Sequence, residues 1–553
     1  MRSLVLAILL APLSLVAQPQ LARITAEVGP RGPQFVRDGR PVTFVPFDGR
    51  AAFSGLDTSG DWAVWLTDGT EAGTVKRIPE NGGGPAVPSA PLAAFEDRLY
   101  FSGLDADNRN RLWRIAATGL PEQVTLAEYE PGTFAAQPDR FFFTGCTPDE
   151  GCEPYVSNGQ STSLLQDIHP GPTSSEARGY TLWQGATYFE ADDGSTGEEV
   201  WRTAGTEGTT TLLANLYRGA TGSRVGGFLP TGNLLLFVAE GRASGESAMP
   251  GIYGTDGTEA GTSLVVGAGL ATSFLGTAGA EDTPIVAFAD PTFGREPHAL
   301  TGGSLVFLAD IRAGGGSLAP GTGSRTARLG DHLAFTAEAF VSPTLVDQIW
   351  LTDGQTASRI EIPDEPAYAE YRNPVTLDGS LYFTVVPNET LNQDAPQQIW
   401  RFVPASGLVG GGAYELIGTL PDGALLQGWN AFDGGLLMGV SLGVSGPVEL
   451  WGIGYSADTA GTEASASAAL SLRVAPNPIR GATRLGYTLT EAGEVRLTVF
   501  DALGRSVATL VDTARPAGEH HATWDSSGFP AGMYLVRLHA MGGEATRTVT
   551  VVR

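Results

Sequence analysis

Lysine is almost missing from this chain. Lys76 is the only one in 553 residues, and 34 basic residues face 60 acidic ones, for a net charge of −26. Such a chain repels polyphosphate and anionic lipid, which excludes nucleic acid and acidic membrane surfaces as partners. Cysteine is nearly as scarce: Cys146 and Cys152 flank a polar Thr-Pro-Asp-Glu-Gly stretch between two apolar runs. With no further ligand in sequence reach, the pair reads as a disulfide stapling a hairpin rather than a metal site. Beyond the N-terminus no stretch approaches the roughly 20 apolar residues of a spanning helix. Catalytic signatures are missing as well, with no His-Glu-x-x-His, no Gly-x-Ser-x-Gly and no phosphate loop. Six histidines are present and do not gather. His520 and His521 alternate faces of one strand, while His169, His332 and His539 stand apart. No catalytic residue is predicted.

Glycine, by contrast, is abundant at 74 residues, and charged residues make up only 17%. This composition suits short strands joined by tight turns. At the start, Arg2, the apolar run Leu4 to Val16 and the small Ala17 read as a signal peptide over residues 1–17. The rest is expected to be soluble and exported.

Six tryptophans recur in one local setting: Trp65, Trp113, Trp201, Trp350, Trp400 and Trp451 each follow an aliphatic residue within a short apolar run. With Tyr155, Tyr253 and His298 accepted in the same slot, the pattern occurs nine times at steps of 42 to 52 residues. That spacing belongs to blade-sized repeats. About four short strands fill each unit. Inner runs such as Phe141-Phe-Phe143 and Leu234-Leu-Leu-Phe237 do not alternate with polar residues, so they read as strands buried on both faces. Radial stacking of four-stranded sheets supplies that environment.

The aromatic is followed, in the fullest units, by Asp-Gly-Thr-Glu-x-Gly-Thr. Asp68, Asp256 and Asp353 are predicted to bond the amides of a turn. Gly69, Gly257, Gly354 and also Gly73 are expected to supply positive φ. The competing reading of the acidic loops is calcium, with Asp105 to Asn110 and Glu190 to Gly194 as candidates, although neither has a complete calcium-loop spacing. No other cofactor is indicated.

These units resemble the Glu-Leu-Trp-x-Ser-Asp-Gly-Thr-x-x-Gly-Thr (hyalin-like) repeats of large secreted bacterial proteins. Glu153-Pro-Tyr155 followed by Gln166-Asp-Ile-His-Pro-Gly171, and Glu296-Pro-His298 followed by Ala309-Asp-Ile-Arg-Ala-Gly314, carry a variant of that pattern. The resemblance covers about residues 40–455 and implies a β-propeller with no established chemistry; the nine central motifs predict an all-β fold with a single β-propeller of about 8–9 four-stranded blades over residues 21–455. The ninth unit lacks an outer strand after Trp451. Leu21 to Val28 is expected to supply it and close the ring, removing two exposed edges.

Residues 456–471 turn to alanine, serine, threonine and glycine and read as a flexible linker. Seven mostly alternating strands follow in residues 472–553, predicting a small Ig-like antiparallel β-sandwich. Pro476-Asn477-Pro478, Val499 to Arg505 with Gly504, Pro530-Ala-Gly532-Met-Tyr534 and the basic end from Thr546 resemble the type A C-terminal sorting domain of the type IX secretion system. That resemblance implies the outer-membrane secretion machinery as partner and a secreted or surface-attached product.

Two functions fit. One is a non-catalytic scaffold, expected to be monomeric, that binds glycan or protein. The alternative is a propeller glycoside hydrolase or polysaccharide lyase. Regular repeats favour binding, since an enzyme calls for one unit that departs from the pattern with polar residues at its inner strands.

Overall fold

The computed structural model describes residues 21–25 and, with interruptions in loops (the longest at 78–91 and 312–325), 44–454 and 471–551. The signal segment, residues 26–28 and nearly all of the linker lie outside the described residues. Internal contacts divide the chain into two units, Met1–Asp458 and Thr459–Arg553.

Among the described residues the first unit contains nine antiparallel sheets; in eight of them the strands are contiguous in sequence, and the ninth also takes a strand from the start of the unit. Blade 1 is Val45–Phe47, Arg50–Leu56, Trp62–Thr67 and Val75–Lys76. Blade 4 repeats it with Arg178–Trp183, Ala186–Asp192, Glu198–Thr203 and Thr211–Ala214. The repeated aromatic always falls on the third strand. Opposite it on the second strand stands a phenylalanine in seven blades: Phe53, Phe101, Phe143, Phe189, Phe237, Phe335 and Phe383. Val286 and Met438 take its place in blades 6 and 9. Cross-strand pairs of this kind set the register, because a slip of one residue would expose the whole apolar set. Four hairpins between first and second strands turn on two residues of positive φ: Asp48-Gly49, Gln184-Gly185, Asp378-Gly379 and Asp433-Gly434. This is the geometry that matches strand twist.

Buried apolar clusters lie between blades rather than within them. Leu66 of blade 1 packs with Phe101 of blade 2, Leu213 of blade 4 with Phe237 of blade 5, and Tyr382 of blade 8 with Met438 of blade 9. First strands of successive blades lie side by side around the centre. The series closes on itself: Phe44, Ala51 and Phe53 of blade 1 share a cluster with Leu437 and Leu450 of blade 9 and with Ile24. The Phe44 amide donates to Asn430 Oδ1 at 3.2 Å. Leu21–Thr25 supplies the outer strand of blade 9, running antiparallel to Val448–Ile453 with Ala22 opposite Gly452. The ring is therefore a nine-bladed β-propeller closed by its own N-terminal strand.

Blade 3 departs from the expected four strands. Two short pieces, Glu128–Tyr129 and Ala135–Ala136, both pair with Phe141–Thr147.

Cys146 and Cys152 face each other across the hairpin of blade 3 and are disulfide-bonded. Reduction, or replacement of both by serine, should cost roughly 2 kcal/mol on the chain-entropy model for so short a loop. Urea denaturation with and without reductant measures it.

The second unit has the seven strands expected. Ser471–Ala475, Ala482–Leu489 and Gly518–Asp525 form one sheet, and Ser506–Arg515, Gly493–Asp501, Gly532–Ala540 and Gly543–Val551 the other. Leu485, Tyr487, Leu497, Val499, Trp524, Val536 and Leu538 fill the space between them.

Candidate functional site

The two ends of the blades differ in kind. At one end lie the turns between third and fourth strands, and these repeat. Asp68 Oδ1 accepts from the amide and hydroxyl of Thr70 at 2.9 and 2.7 Å, and Asp256 does the same with Thr258. Asp353 takes the amides of Gln355 and Thr356, both at 2.8 Å. Gly69, Gly257 and Gly354 have φ near +90°. Gly73 does not, contrary to expectation. A Cβ on Gly73 would sit 2.0 Å from Asp68 Oδ1, and one on Gly261 2.0 Å from Asp256 Oδ1. These glycines make room for the carboxylate. Gly261→Ala should therefore cost about 2 kcal/mol in wild type and clearly less in an Asp256→Ala background. A double-mutant cycle by thermal melting checks this coupling. Blade 4 has Ala204 in the aspartate position, and the Thr209 hydroxyl accepts from the Ala204 and Thr206 amides instead. The turns also join blades: guanidinium groups of Arg114 and Arg202 donate to the carbonyls of Gly159 and Gly257 in the following blade.

The aromatics themselves belong to packing. Trp201, Tyr155, Tyr253 and His298 are buried, while Trp65, Trp113, Trp350, Trp400 and Trp451 are half-buried. Trp65 and Trp113 donate their indole N–H to Gly55 and Gly103 carbonyls. Trp350, Trp400 and Trp451 donate to Gln348, Gln398 and Glu449. His298 Nδ1 lies 2.9 Å from the Glu296 carbonyl.

That last group points to a position sequence reasoning gave no role. Two residues before the aromatic stands Glu153, Glu199, Glu296, Gln348, Gln398 or Glu449 in six of the nine blades. All four glutamates are buried. Glu153 accepts from the amides of Ile168 and Ser175, both at 3.0 Å. Glu199 accepts from the amides of Leu216 and Tyr217 at 3.0 Å and the Ser223 hydroxyl at 2.6 Å. Glu296 accepts from the Ile311 amide. Each pins the connection that leaves its blade for the next. Recurrence of Glu or Gln two positions before the aromatic was the available signal.

The opposite end, which carries the second-to-third hairpins and these blade connections, varies from blade to blade. One rung of the second strand reads Ser54, Ser102, Thr144, Glu190, Val238, Ala287, Thr336, Thr384 and Gly439. Blade 4 alone places a carboxylate there. Glu190 is 7% exposed. Its Oε1 meets Arg178 Nε at 3.0 Å, and Arg178 also bridges to Glu198. Glu190 Oε2 is buried without a hydrogen-bond partner among the described residues. Burial pushes the Glu190 carboxyl up to about 7, against the pull of Arg178 and with repulsion from Glu198 adding to the rise. Beside this cluster the inner strand bulges between Arg178 and Thr181. Gly179 there has φ +74, and the Phe228 ring of blade 5 lies within 3.5 Å of where its Cβ would be. Bulges re-aim inner strands at functional rims.

The loops weighed as calcium sites are held by their own backbone. Asp105 accepts the amides of Asp107 and Arg109 and pairs with Arg111 at 2.7 Å. Asp193 Oδ1 takes the amides of Ser195 and Thr196. Among the described residues no three His, Cys, Asp or Glu side chains converge as metal ligands.

In the second unit, Tyr534 is buried against Trp524 and Phe529, and its hydroxyl donates to the Pro530 carbonyl at 2.9 Å. Gly532 is exposed with φ +153. Pro476, Asn477, Pro478 and Gly504 lie outside the described residues.

Residues 473–552 match the family described as "Secretion system C-terminal sorting domain". The protein is thus exported, as a secreted or cell-surface product of type IX secretion. No curated protein matches the chain. Among solved structures, puromycin hydrolase is similar at 13% identity over 74% of this chain and 59% of its own, with a TM-score of 0.35. The β-propeller domain of the Trilobed protease from Pyrococcus furiosus is similar at 10% identity over 66% of this chain and 96% of its own, with a TM-score of 0.32. A Mycobacterium tuberculosis puromycin-hydrolyzing peptidase is similar at 14% identity over 66% and 61%, with a TM-score of 0.33. The chain spans about three fifths of the length of the two puromycin-hydrolysing proteins. Likeness at this level concerns the fold alone.

Proposed function

We propose that this exported protein is a non-catalytic scaffold that binds glycan or protein at the variable end of its ring, centred on blades 4 and 5. One observation carries the reading: blade 4 alone places a carboxylate on the second-strand rung, and Arg178 bridges it to a second one. A polar departure in one blade is also what an enzyme calls for, but here Arg178 is bonded to both carboxyl groups and lies between them, which suits recognition. Arg178, Glu190 and Glu198 offer donors and acceptors to a hydroxyl-rich ligand, and the half-buried Phe228 offers an apolar ring. Sugars and polar peptides use such sets. The likeness of the repeats to those of large secreted bacterial proteins agrees with this role.

A second reading draws on the same residues. A carboxyl raised to about 7 with a second acidic side chain, Glu198, nearby resembles the pairing of a glycosidase acid and base. Screening the full chain against polysaccharides, scored for binding and for release of reducing ends, separates the two. Binding that Glu190→Gln weakens, without turnover, is the expected result. Turnover abolished by Glu190→Gln would replace the scaffold reading with the enzyme.

A further inference from the structure

Blade 6 repeats the rungs of blade 4 with the charges exchanged. Ser273, Ala287 and Pro297 stand at the positions of Arg178, Glu190 and Val200. Two rungs further toward the variable end, Ala289 and Arg295 stand at the positions of Asp192 and Glu198. Three carboxylates of blade 4 thus become two alanines and an arginine, and its arginine becomes a serine. The Arg295 guanidinium is half-buried and donates from Nη2 to Ser273 Oγ at 2.7 Å. Its Nε is buried without a hydrogen-bond partner among the described residues. Burial holds Arg295 below the usual arginine range, and no carboxylate offsets it. Arg178, by contrast, has Glu190 and Glu198 to support its charge. Glu296, next to Arg295 in the chain, faces the other side of the strand and accepts from the Ile311 amide. Thr272, 5% exposed and next to Ser273, also keeps a buried hydroxyl without a partner among the described residues. A charge taken partly out of water without a counterion destabilises its own fold. The chain has 60 acidic residues, and none is placed to relieve this one.

We propose that Arg295, oriented by Ser273, is a carboxylate-binding subsite of the variable end, and that its ligand is a glycan carrying isolated uronate sugars among neutral ones. The inference rests on the scaffold reading above and narrows its ligand. A guanidinium recognises a carboxylate through paired N–H donors in one plane, and the bond to Ser273 holds that plane. Alanine at 287 and 289 keeps both bulk and negative charge off these rungs. The net charge of −26 repels a dense polyanion, so the acidic sugars must be sparse. Neutral sugars offer hydroxyls and no charge, which suits Arg178, Glu190 and Glu198 two blades away on the same end.

Saturation-transfer NMR on the full chain with D-glucuronate and D-glucose, which differ at the carboxylate, tests it. Glucuronate should bind roughly tenfold more tightly than glucose, and Arg295→Gln should remove that preference. The variant should melt at or above the wild-type temperature, because it loses an unpaired charge; an arginine with only a structural role would lower it. If Arg295→Gln fails to fold, Arg295→Lys replaces it and should cut the preference severalfold, since lysine lacks the planar fork. Arg484→Gln, exposed in the second unit, should keep the preference. Equal binding of the two sugars by wild type, or a preference that survives in the Arg295 variant, overturns the proposal. So does Arg295-dependent binding of a glutamyl tripeptide with no response to glucuronate, which would make this a peptide site. Glu190→Gln should leave the glucuronate preference in place. If it also leaves polysaccharide binding untouched, the blade 4 reading fails while the subsite stands.

Discussion

Glu199→Ala should lower the stability of the ring by roughly 3 kcal/mol at pH 5, because two partly buried amides and a buried hydroxyl lose their acceptor together. The penalty should shrink at pH 8. Burial pushes the Glu199 carboxyl up to about 7, opposed by its hydrogen bonds from Ser223, Tyr217 and Leu216. In the unfolded chain the carboxyl returns to its ordinary value of 4.5. Between these values the folded state holds a proton that the unfolded state releases, so stability falls as pH rises from about 4.5 to 7 and levels off above. Glu190 is shifted the same way, and each group contributes on the order of 3 kcal/mol at most across the window. Asp105, Asp193, Asp256 and Asp353 are held below the usual carboxylate range and titrate beneath it. Wild type should therefore melt at a lower temperature at pH 8 than at pH 5. Glu199→Gln should flatten that slope, and Glu199→Gln with Glu190→Gln should flatten it further. Calorimetry at both pH values checks the set. A wild-type melting temperature that rises with pH would show these carboxyls to be charged throughout.

Ile24→Asp should have the largest effect of any single change in the closing strand. Ile24 is 4% exposed and packs with Phe53, Leu437 and Leu450 where blade 9 meets blade 1. A carboxylate there costs about 4 kcal/mol or more. The strand is five residues long and its ladder is formed with Val448–Ile453 alone, so it should detach before the rest of the ring unfolds. Detachment uncovers the edge of Val448–Ile453 and the apolar seam, and exposed edges pair with other chains. The variant should show a lower melting temperature and concentration-dependent association in sedimentation. Arg23→Ala should have a milder effect: Arg23 is half exposed and contributes one ion pair, at 2.9 Å, to the buried Glu449.

Much of this fold was legible because it repeats. Nine aromatic slots marked nine third strands, and the missing outer strand after Trp451 pointed to Leu21. The seven tail strands followed from alternation alone. What repeats less was harder to read. Gly73 and Gly261 look like turn glycines, yet their constraint is a carboxylate folded back onto them, a contact linear sequence does not display. The division of blade 3's first strand was hidden because two-residue strands carry no period. Glu190 looked like one acidic residue in a loop. Its meaning came only once the ladders aligned it with Ser102, Thr144 and Thr384, since register across separate blades requires pairing. Glu199 was overlooked for a related reason: its partners Leu216 and Ser223 lie 17 and 24 residues away, in a connection whose path is set by the ring.

The closed nine-bladed ring is the claim beneath the rest, and cross-linking tests it most directly. Ala22 and Gly452 are register partners in the closing ladder, and the native cysteines are already paired. Full-length protein with Ala22→Cys and Gly452→Cys should form a second disulfide under mild oxidation, seen as one additional bridged peptide pair by mass spectrometry. Ala22→Cys paired instead with Ala51→Cys in blade 1 should not bridge. Bridging to blade 1, or none at Gly452 in folded protein, would contradict a ring closed by its N-terminal strand.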